Sequence, residues 1–308
     1  MPPPPAASVL LLDHSMRGRV TTQQPTPWPR DLRGALVLTW IVTIHITALV
    51  GLIFFPMPGW RLLISALTLL FLGGLGATIC YHRALAHRSI TLHPLVQGIL
   101  IMFAMVTGVT PPRTWIPNHR YHHSNADSPQ DPSSPVQRGF WIAHVAWYWE
   151  PQRPIPPKYA ADLGSFSLRI WDWLTLPLFL AAFFGGALFS LKGFFWLGAI
   201  RLVLAFQANS LVNSVCHTEQ HAARKRDSSR NVWWVAFPLL FLGENWHRDH
   251  HISPGSARLG SSWRQIDLAY PLILGLQRIG LAKNIHCILT YAGERTEPKA
   301  NHSDTSPT

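Results

Sequence analysis

Long apolar runs alternate with short polar stretches along this chain of 308 residues. Four of the runs approach the roughly 20 residues that an α-helix needs to cross the hydrocarbon layer of a membrane. Pro56 and Gly59 mark a turn between the first two runs, and Lys192 marks a turn between the last two. The pattern predicts an all-α integral membrane protein with four transmembrane helices in two hairpins. The predicted spans are 34–55, 60–81, 174–191 and 193–215.

Two further apolar runs are shorter than a span. Gly108 and Pro111 end the run 92–109, and Pro238 interrupts the run 232–242. Proline removes a backbone donor and breaks a helix, so neither run supports a complete crossing. Both are predicted to be re-entrant or interfacial helices.

The two ends of the chain differ from its middle. Residues 1–33 are rich in proline and lack periodicity, which predicts a disordered cytosolic tail, and residues 291–308 form a polar tail. The stretch 34–290 between them is predicted to be one membrane domain.

Charge excludes some functions and suggests an orientation. Only 13% of the residues are charged, against about 25% in ordinary soluble chains. The net charge of +11 comes from basic residues scattered through loops and tails, which argues against nucleic-acid binding.

Almost no Lys or Arg lies in the turns between paired spans, so the positive-inside rule predicts that both termini and the loops 81–170 and after 217 are cytosolic. The membrane would be the plasma or inner membrane of a bacterium, or the endoplasmic reticulum of a eukaryote.

Nine of the sixteen histidines, with one asparagine, form four clusters on that predicted cytosolic side. Imidazole suits iron, copper and zinc, and nine histidines are about enough for two ions. Residues three and four apart share a helix face, so each His-x-x-His-His cluster is expected to aim three rings at one place. His82 and His87, five apart, would diverge by about 140° on a regular helix, so either the helix ends there or the rings serve different metals. The candidate ligands are His82, His87, His119, His122, His123, Asn213, His217, His247, His250 and His251.

Metal-bound histidines usually donate their second ring N–H to a carboxylate or a carbonyl. Five acidic residues lie close enough in sequence to serve. They are Asp127, Asp131, Glu219, Glu244 and Asp249.

The order and spacing of these clusters resemble the membrane-bound acyl desaturases of the Δ9 type, over roughly residues 35–270. The flanks agree as well, in Asp131-Pro132, in Arg138 to His144, and in Gly243-Glu244. The resemblance implies two iron ions shared by the nine histidines, with Asn213 acting through a bound water. It also implies O2 as co-substrate and a saturated acyl chain, carried on a lipid or CoA, held in a kinked hydrophobic tunnel. The expected product carries a cis double bond near carbon nine. Electrons would come from a separate ferredoxin or cytochrome b5-type donor with its reductase.

The chain departs from this pattern at three places. Animal acyl-CoA enzymes have a basic pair where this chain has Glu150-Pro151-Gln152, and a tryptophan where it has Ser210. Ser133 replaces the histidine of the usual Asp-Pro-His. The first two departures put an acyl-CoA substrate in question.

Two other classes compete with the desaturase. Related di-iron hydroxylases and ketolases also bind their metals through histidine clusters, but Arg83, Arg120 and the Asn213 cluster favour a desaturase. The product, a double bond or an added oxygen, separates the two. A metal transporter would need ligands along a path through the membrane midplane, whereas every cluster here lies at one end.

Overall fold

The structure is a computed structural model that describes residues 28–151, 153–218, 227–233 and 242–287. These residues are mostly helical, with one two-stranded antiparallel sheet, Thr91–Leu92 against Ala282–Lys283. The α-helices are Leu32–Phe54, Trp60–Leu75, Pro94–Met105, Pro112–Asn125, Pro135–Arg138, Phe140–His144, Phe166–Phe184, Leu191–Gly193, Arg201–Val215, His247–Ile252 and Ala269–Arg278. π-Helices cover Gly76–Ala86 and Phe194–Ile200, and 3₁₀ turns cover Ala146–Tyr148, Pro157–Tyr159 and Gly185–Leu188.

Within the described ranges, four continuous helices are long and apolar enough to cross a membrane, as the hydrophobic pattern predicts. We call them helix I (Leu32–Phe54), helix II (Trp60–Ala86), helix III (Phe166–Leu188) and helix IV (Leu191–Val215). Their outer faces carry large exposed apolar side chains, such as Ile53, Trp173 and Leu188. This surface suits lipid rather than water.

Two of the four helices extend beyond their apolar runs. Helix III begins at Phe166 rather than at 174, and its added turns include Asp172, which pairs with Arg113 of the helix Pro112–Asn125. Helix II continues to Ala86 rather than to 81, and its added turn carries His82. Hydrophobicity marks only the part of a helix that faces lipid or the core, whereas the hydrogen-bonded helix includes polar turns as well.

Helix IV lies against the other three long helices through its π-helical part, Phe194–Ile200. Glycines bring the backbones close together. A Cβ atom at Gly51 of helix I would lie 2.7 Å from Cβ of Phe195, and one at Gly198 would lie 2.3 Å from the carbonyl oxygen of Phe183. Small residues at such crossings are typical of packed membrane helices.

The predicted re-entrant run 92–109 contains one short helix, Pro94–Met105, which packs against helix II. A Cβ atom at Gly76 would lie 2.2 Å from the carbonyl oxygen of Leu100, so the contact is close. The other predicted interfacial run, 232–242, lies largely outside the described residues, as do most of the two predicted tails.

The C-terminal segment 242–287 is fastened to helix II by a buried ion pair. Arg83 donates from Nη2 to Oδ1 of Asp267 at 3.0 Å and to the carbonyl of Leu242 at 2.8 Å. Both charged side chains are only 1% exposed. Removing one partner of such a pair would leave an uncompensated charge, so this link strongly constrains where the last histidine cluster sits.

Candidate metal centre and adjoining cavity

All nine clustered histidines come together in the structure, and they form two groups. Within each group the possible ligand atoms lie within 4.8 Å of one another. The five-histidine group consists of His82, His87, His119, His123 and His250. The four-histidine group consists of His122, His217, His247 and His251.

His82 and His87 belong to the same group, so the two rings are not assigned to different groups. The other alternative is the observed one, because helix II ends at Ala86, directly before His87. Helix II changes from α- to π-helical at Gly76 and continues to Ala86. In a π-helix the hydrogen bond runs from residue i+5 to residue i, which places those two residues on one face. The amide of His87 donates such a bond to the carbonyl of His82 at 3.0 Å, and the two ring centroids are 4.9 Å apart.

Each His-x-x-His-His cluster is divided between the groups, which corrects the expectation that its three rings share one target. His119 and His123 join the five-histidine group, whereas His122 joins the other. In the last cluster His247 and His251 join the four-histidine group, and His250 joins the five-histidine group. In both, the pair four residues apart stays together and the third ring points to the other side. Residues three and four apart flank a helix face on opposite sides, which permits this division.

The Nε2 atoms point into the two groups. In the five-histidine group, Nε2 of His82 lies 2.9 Å from Nε2 of His250, and the same distance joins His87 and His119. In the four-histidine group, Nε2 of His247 lies 2.8 Å from that of His217 and 3.1 Å from that of His251. Ring nitrogens at such distances converge as ligands of a shared ion would.

Carboxylates hold the opposite ring nitrogens of four histidines. Nδ1 of His82 contacts Glu244 at 2.9 Å, and Nδ1 of His122 contacts Asp131 at 2.9 Å. The other two contacts join His217 to Asp127 at 3.0 Å and His251 to Asp227 at 3.1 Å. This carboxylate–imidazole arrangement fixes the ring orientation and presents Nε2 to a metal.

Only three of the five acidic residues predicted to contact the histidines are seen to do so: Asp127, Asp131 and Glu244. Asp249 accepts from Ser261 and Gln265 instead of from a histidine, and Glu219 lies outside the described residues. Asp227 was missed, because it lies 24 residues before His251 and no local spacing connects the two.

Burial keeps most of these imidazoles neutral. Desolvation lowers the pKa of six of the nine histidines well below the ordinary value, and neighbouring histidines lower it further. At His122 burial also lowers the pKa, but the carboxylates of Asp131, Asp127 and Asp227 together raise it above its ordinary value. A buried set of neutral imidazoles without thiolates suits a nitrogen-liganded transition metal, iron included. The residues therefore fit a two-metal centre.

A cavity of about 230 Å³ adjoins both groups. His82 and His119 of one group and His122 and His247 of the other line it, and so does Asn213. Asn213 thus faces the same space as the four-histidine group, while the next residue, Ser214, turns away and contacts Nδ1 of His144 at 2.8 Å.

Away from the histidines the cavity continues between the long helices. Its walls there are mostly apolar or small: Trp40, Ile44, Leu70, Gly73, Gly74, Leu202 and Ala205. Toward the loops it is lined by Arg33, Asn118, Ser133, Trp147 and Tyr148. Part of the aromatic segment that follows Arg138 therefore walls this space, although Trp141 is 72% exposed.

The structure shows the surroundings of one residue at each of the three places where the chain departs from the desaturase pattern. Glu150 accepts from Arg138 at 2.6 Å, so an ion pair occupies the region where the basic pair is expected. Ser133 donates from its backbone amide and its hydroxyl to Oδ1 of Asp131, and so supports the carboxylate that holds His122. Ser210 is fully buried on helix IV and is not among the residues that line the cavity.

Comparison with known proteins assigns the family. The model of the fatty acid desaturase family matches residues 58–278, which include both histidine groups. The chain belongs to the fatty acid desaturase family. It is therefore an oxidoreductase, and the part of the chain that the structure describes has four candidate membrane helices.

Three similar proteins show the range within the family. Delta-9 acyl-lipid desaturase 2 of Arabidopsis thaliana is 33% identical over 79% of this chain and 80% of its own length. The sn-1 stearoyl-lipid 9-desaturase of Synechocystis sp. is 32% identical over 83% of each chain. The chloroplastic palmitoyl-monogalactosyldiacylglycerol delta-7 desaturase of Arabidopsis thaliana is 32% identical over 84% of this chain and 71% of its own length. Relatives of similar identity thus carry names for different double-bond positions.

Proposed function

We propose that this protein is an O2-dependent acyl-lipid desaturase that introduces a cis double bond at carbon nine of a saturated acyl chain. The proposed metal ligands are the nine histidines of the two groups, for two iron ions, with Asn213 acting through a water. The main support is the cavity, which touches both histidine groups and then continues between apolar helices. A saturated chain has no polar group in its middle that the protein could recognise, so the depth and shape of the cavity must set its position.

The balanced reaction converts one –CH2–CH2– unit, O2, two electrons and two protons into –CH=CH– and two waters. The nine histidines would hold two irons, which when bound would supply the O2 activation that an unactivated methylene requires. The protein itself aligns the chain and keeps bulk water away from the reacting carbons. The mostly apolar inner wall of the cavity serves both purposes, and the carboxylates behind four histidines keep their rings in place.

The arginines that contact Glu150 favour an acyl-lipid over acyl-CoA, because their donors already have partners. CoA carries several phosphates, which call for a cluster of basic side chains. Here Arg138 is already paired with Glu150, and Arg33 donates to the carbonyls of Tyr148 and Glu150 at 3.4 and 3.3 Å. The relatives named for lipid substrates point the same way.

We further propose that both termini and the metal centre face the cytosol. The charge distribution supports this orientation through the positive-inside rule. It would allow a separate ferredoxin or cytochrome b5-type protein with its reductase to deliver the two electrons from the cytosolic side.

The test is expression in a desaturase-deficient host, with the double-bond positions of the fatty acids determined by mass spectrometry. We expect a new cis-9 monoene in the membrane lipids. His123→Ala should abolish it, whereas His286→Ala should not, since the exposed His286 lies outside both groups. Hydroxylated chains in place of the monoene would support the related di-iron hydroxylase. No new fatty acid, with the protein present in the membrane and a donor supplied, would contradict the proposal.

A further inference from the structure

A cation is buried among the membrane helices at a distance from the histidines. Arg201 of helix IV is only 3% exposed. It lies 16 residues before His217 along the chain, toward the end of helix IV that is remote from both histidine groups. Ionisable residues within a membrane span are costly, so one that is kept there calls for a functional explanation.

The partners of Arg201 among the described residues are backbone carbonyls on three separate elements. Its Nε donates to Leu197 of helix IV at 2.7 Å. Its Nη1 donates to Val106, directly after the helix Pro94–Met105, at 2.8 Å, and its Nη2 donates to Ala182 of helix III at 3.2 Å. The guanidinium therefore fastens the end of the short helix to two long helices. Only arginine has a planar fork of donors that can hold several acceptors in this way.

The segment fastened in this way lines the cavity. Thr107, Gly108, Val109 and Thr110 all contribute to its wall, and so does Leu202, the neighbour of Arg201. Leu70 and Gly73 of helix II, which precede His82 by 12 and 9 residues, line the same remote part. Residues 107–110 therefore help to close the end of the cavity that is remote from the metal ligands.

The packing leaves this segment little freedom. A Cβ atom at Gly73 would lie 1.9 Å from Cγ2 of Thr107, so the threonine is pressed against the backbone of helix II. Gly108 has a φ of +90°, a conformation that glycine adopts readily and other residues do not. A Cβ atom there would contact Leu202 at 3.6 Å. The carbonyl that Arg201 holds comes immediately before this close-packed turn.

We propose that Arg201 is a positioning residue for chain selection, because it holds residues 106–110 as the closed end of the acyl cavity. This inference rests on the proposed desaturase function. The depth of the closed end fixes which chain lengths fit and which carbons lie beside the metal centre. One methylene more or less in an apolar pocket changes selectivity by roughly 10-fold or more. Relatives of similar identity carry names for positions seven and nine.

The test compares Arg201→Lys and Arg201→Gln with the wild type in the same deficient host, fed an equal mixture of saturated C14, C16, C18 and C20 acids. Lysine keeps the charge but cannot hold the separated carbonyls together. We expect the ratio of long to short monoenes, per amount of protein in the membrane, to change by about threefold to tenfold, with minor double-bond positions appearing. Arg61→Lys is the matched control, since Arg61 lies over the Trp60 ring at the start of helix II and does not line the cavity.

The outcomes separate this inference from the proposed function. A wild-type chain that forms no monoene would contradict the function itself. A wild-type chain that is active, with variants giving the same chain-length ratio and the same positions, would overturn only the role of Arg201. If the glutamine variant does not accumulate, the lysine variant decides. Failure of the lysine variant to accumulate would also overturn the inference, because Arg201 would then be needed for folding rather than for selection.

Discussion

The two histidine groups are built by different means. Four of the five residues in the five-histidine group come from two segments of the chain. His82 and His87 lie at the end of helix II, joined by a π-type hydrogen bond, and His119 and His123 have the i, i+4 spacing of one helix. Among the described residues, a carboxylate contacts only one of its members, where Glu244 meets His82. In the four-histidine group three of the four rings are held by carboxylates.

This difference teaches that regular backbone and side-chain hydrogen bonds can serve the same purpose. In the five-histidine group, the backbone of helix II and of the helix Pro112–Asn125 sets the direction of most rings. In the four-histidine group, carboxylates orient His217, which lies beyond the end of helix IV, and also His122 and His251, which lie on helices. The five-histidine group should therefore be sensitive to changes in helix packing, and the four-histidine group to the loss of carboxylates.

The largest effect is expected from removing one ligand of either group. His250→Ala and His247→Ala should each reduce monoene formation more than about 100-fold, because even the residues behind metal ligands are worth about 10–100-fold. Bound iron should fall from two ions per chain toward one in each variant, measured by metal analysis of the purified protein. Full activity in either variant would show that its group is not part of the reaction.

The next effect comes from the carboxylates. Asp127 contacts His217 at 3.0 Å and also accepts from the hydroxyls of Ser134 at 2.7 Å and Ser228 at 2.6 Å. Asp127→Asn keeps the shape but removes the charge, and should lower activity or iron affinity about 10- to 100-fold.

Glu244→Gln is the counterpart in the five-histidine group, and a smaller loss of iron affinity is expected there because helix geometry also directs His82. Iron titration of both variants measures the difference. Equal losses would contradict the distinction between the two groups.

A smaller effect is expected from changing the packing behind the π-helix. Gly76→Ala would place a methyl group 2.2 Å from the carbonyl of Leu100. The resulting shift should cost about 1–3 kcal/mol of stability and weaken the five-histidine group selectively. Gly275→Ala is the control, since a Cβ atom there has no neighbour within 4 Å. Thermal unfolding measures the loss of stability, and metal analysis measures the iron content. Equal stability and iron content of Gly76→Ala and Gly275→Ala would contradict the proposed dependence of the five-histidine group on helix packing.

The smallest effect is expected at the surface beside the five-histidine group. Arg88 pairs with Asp162 at 2.8 Å, but the side chain of Arg88 is 66% exposed. Arg88→Gln should therefore change stability by no more than about 1 kcal/mol, and the change should shrink with added salt. Activity should stay at the wild-type level in the same host assay. A large loss of activity would show that the surface around His87 has a role beyond ion pairing.

Several features could be predicted because they depend on local pattern. Apolar runs of membrane length predict helices wherever they occur, so the four long helices were foreseeable, with ends wrong by up to eight residues at helix III. The histidines were recognisable as candidate ligands because their short spacings recur. The same spacings, with their flanking residues, carried the resemblance to desaturases that the family match confirms.

The sequence by itself therefore determined the helical membrane architecture, the set of candidate ligands and the family. The tertiary structure decided how the nine histidines divide into five and four, because a switch from α- to π-helix depends on backbone hydrogen bonds that no spacing reveals. It also decided that Asp227 supports His251 and that Arg201 joins three separate elements, because these contacts connect residues distant in sequence. Spacing along a chain reports which residues share a helix face, whereas the neighbours of that face are chosen only when the helices pack.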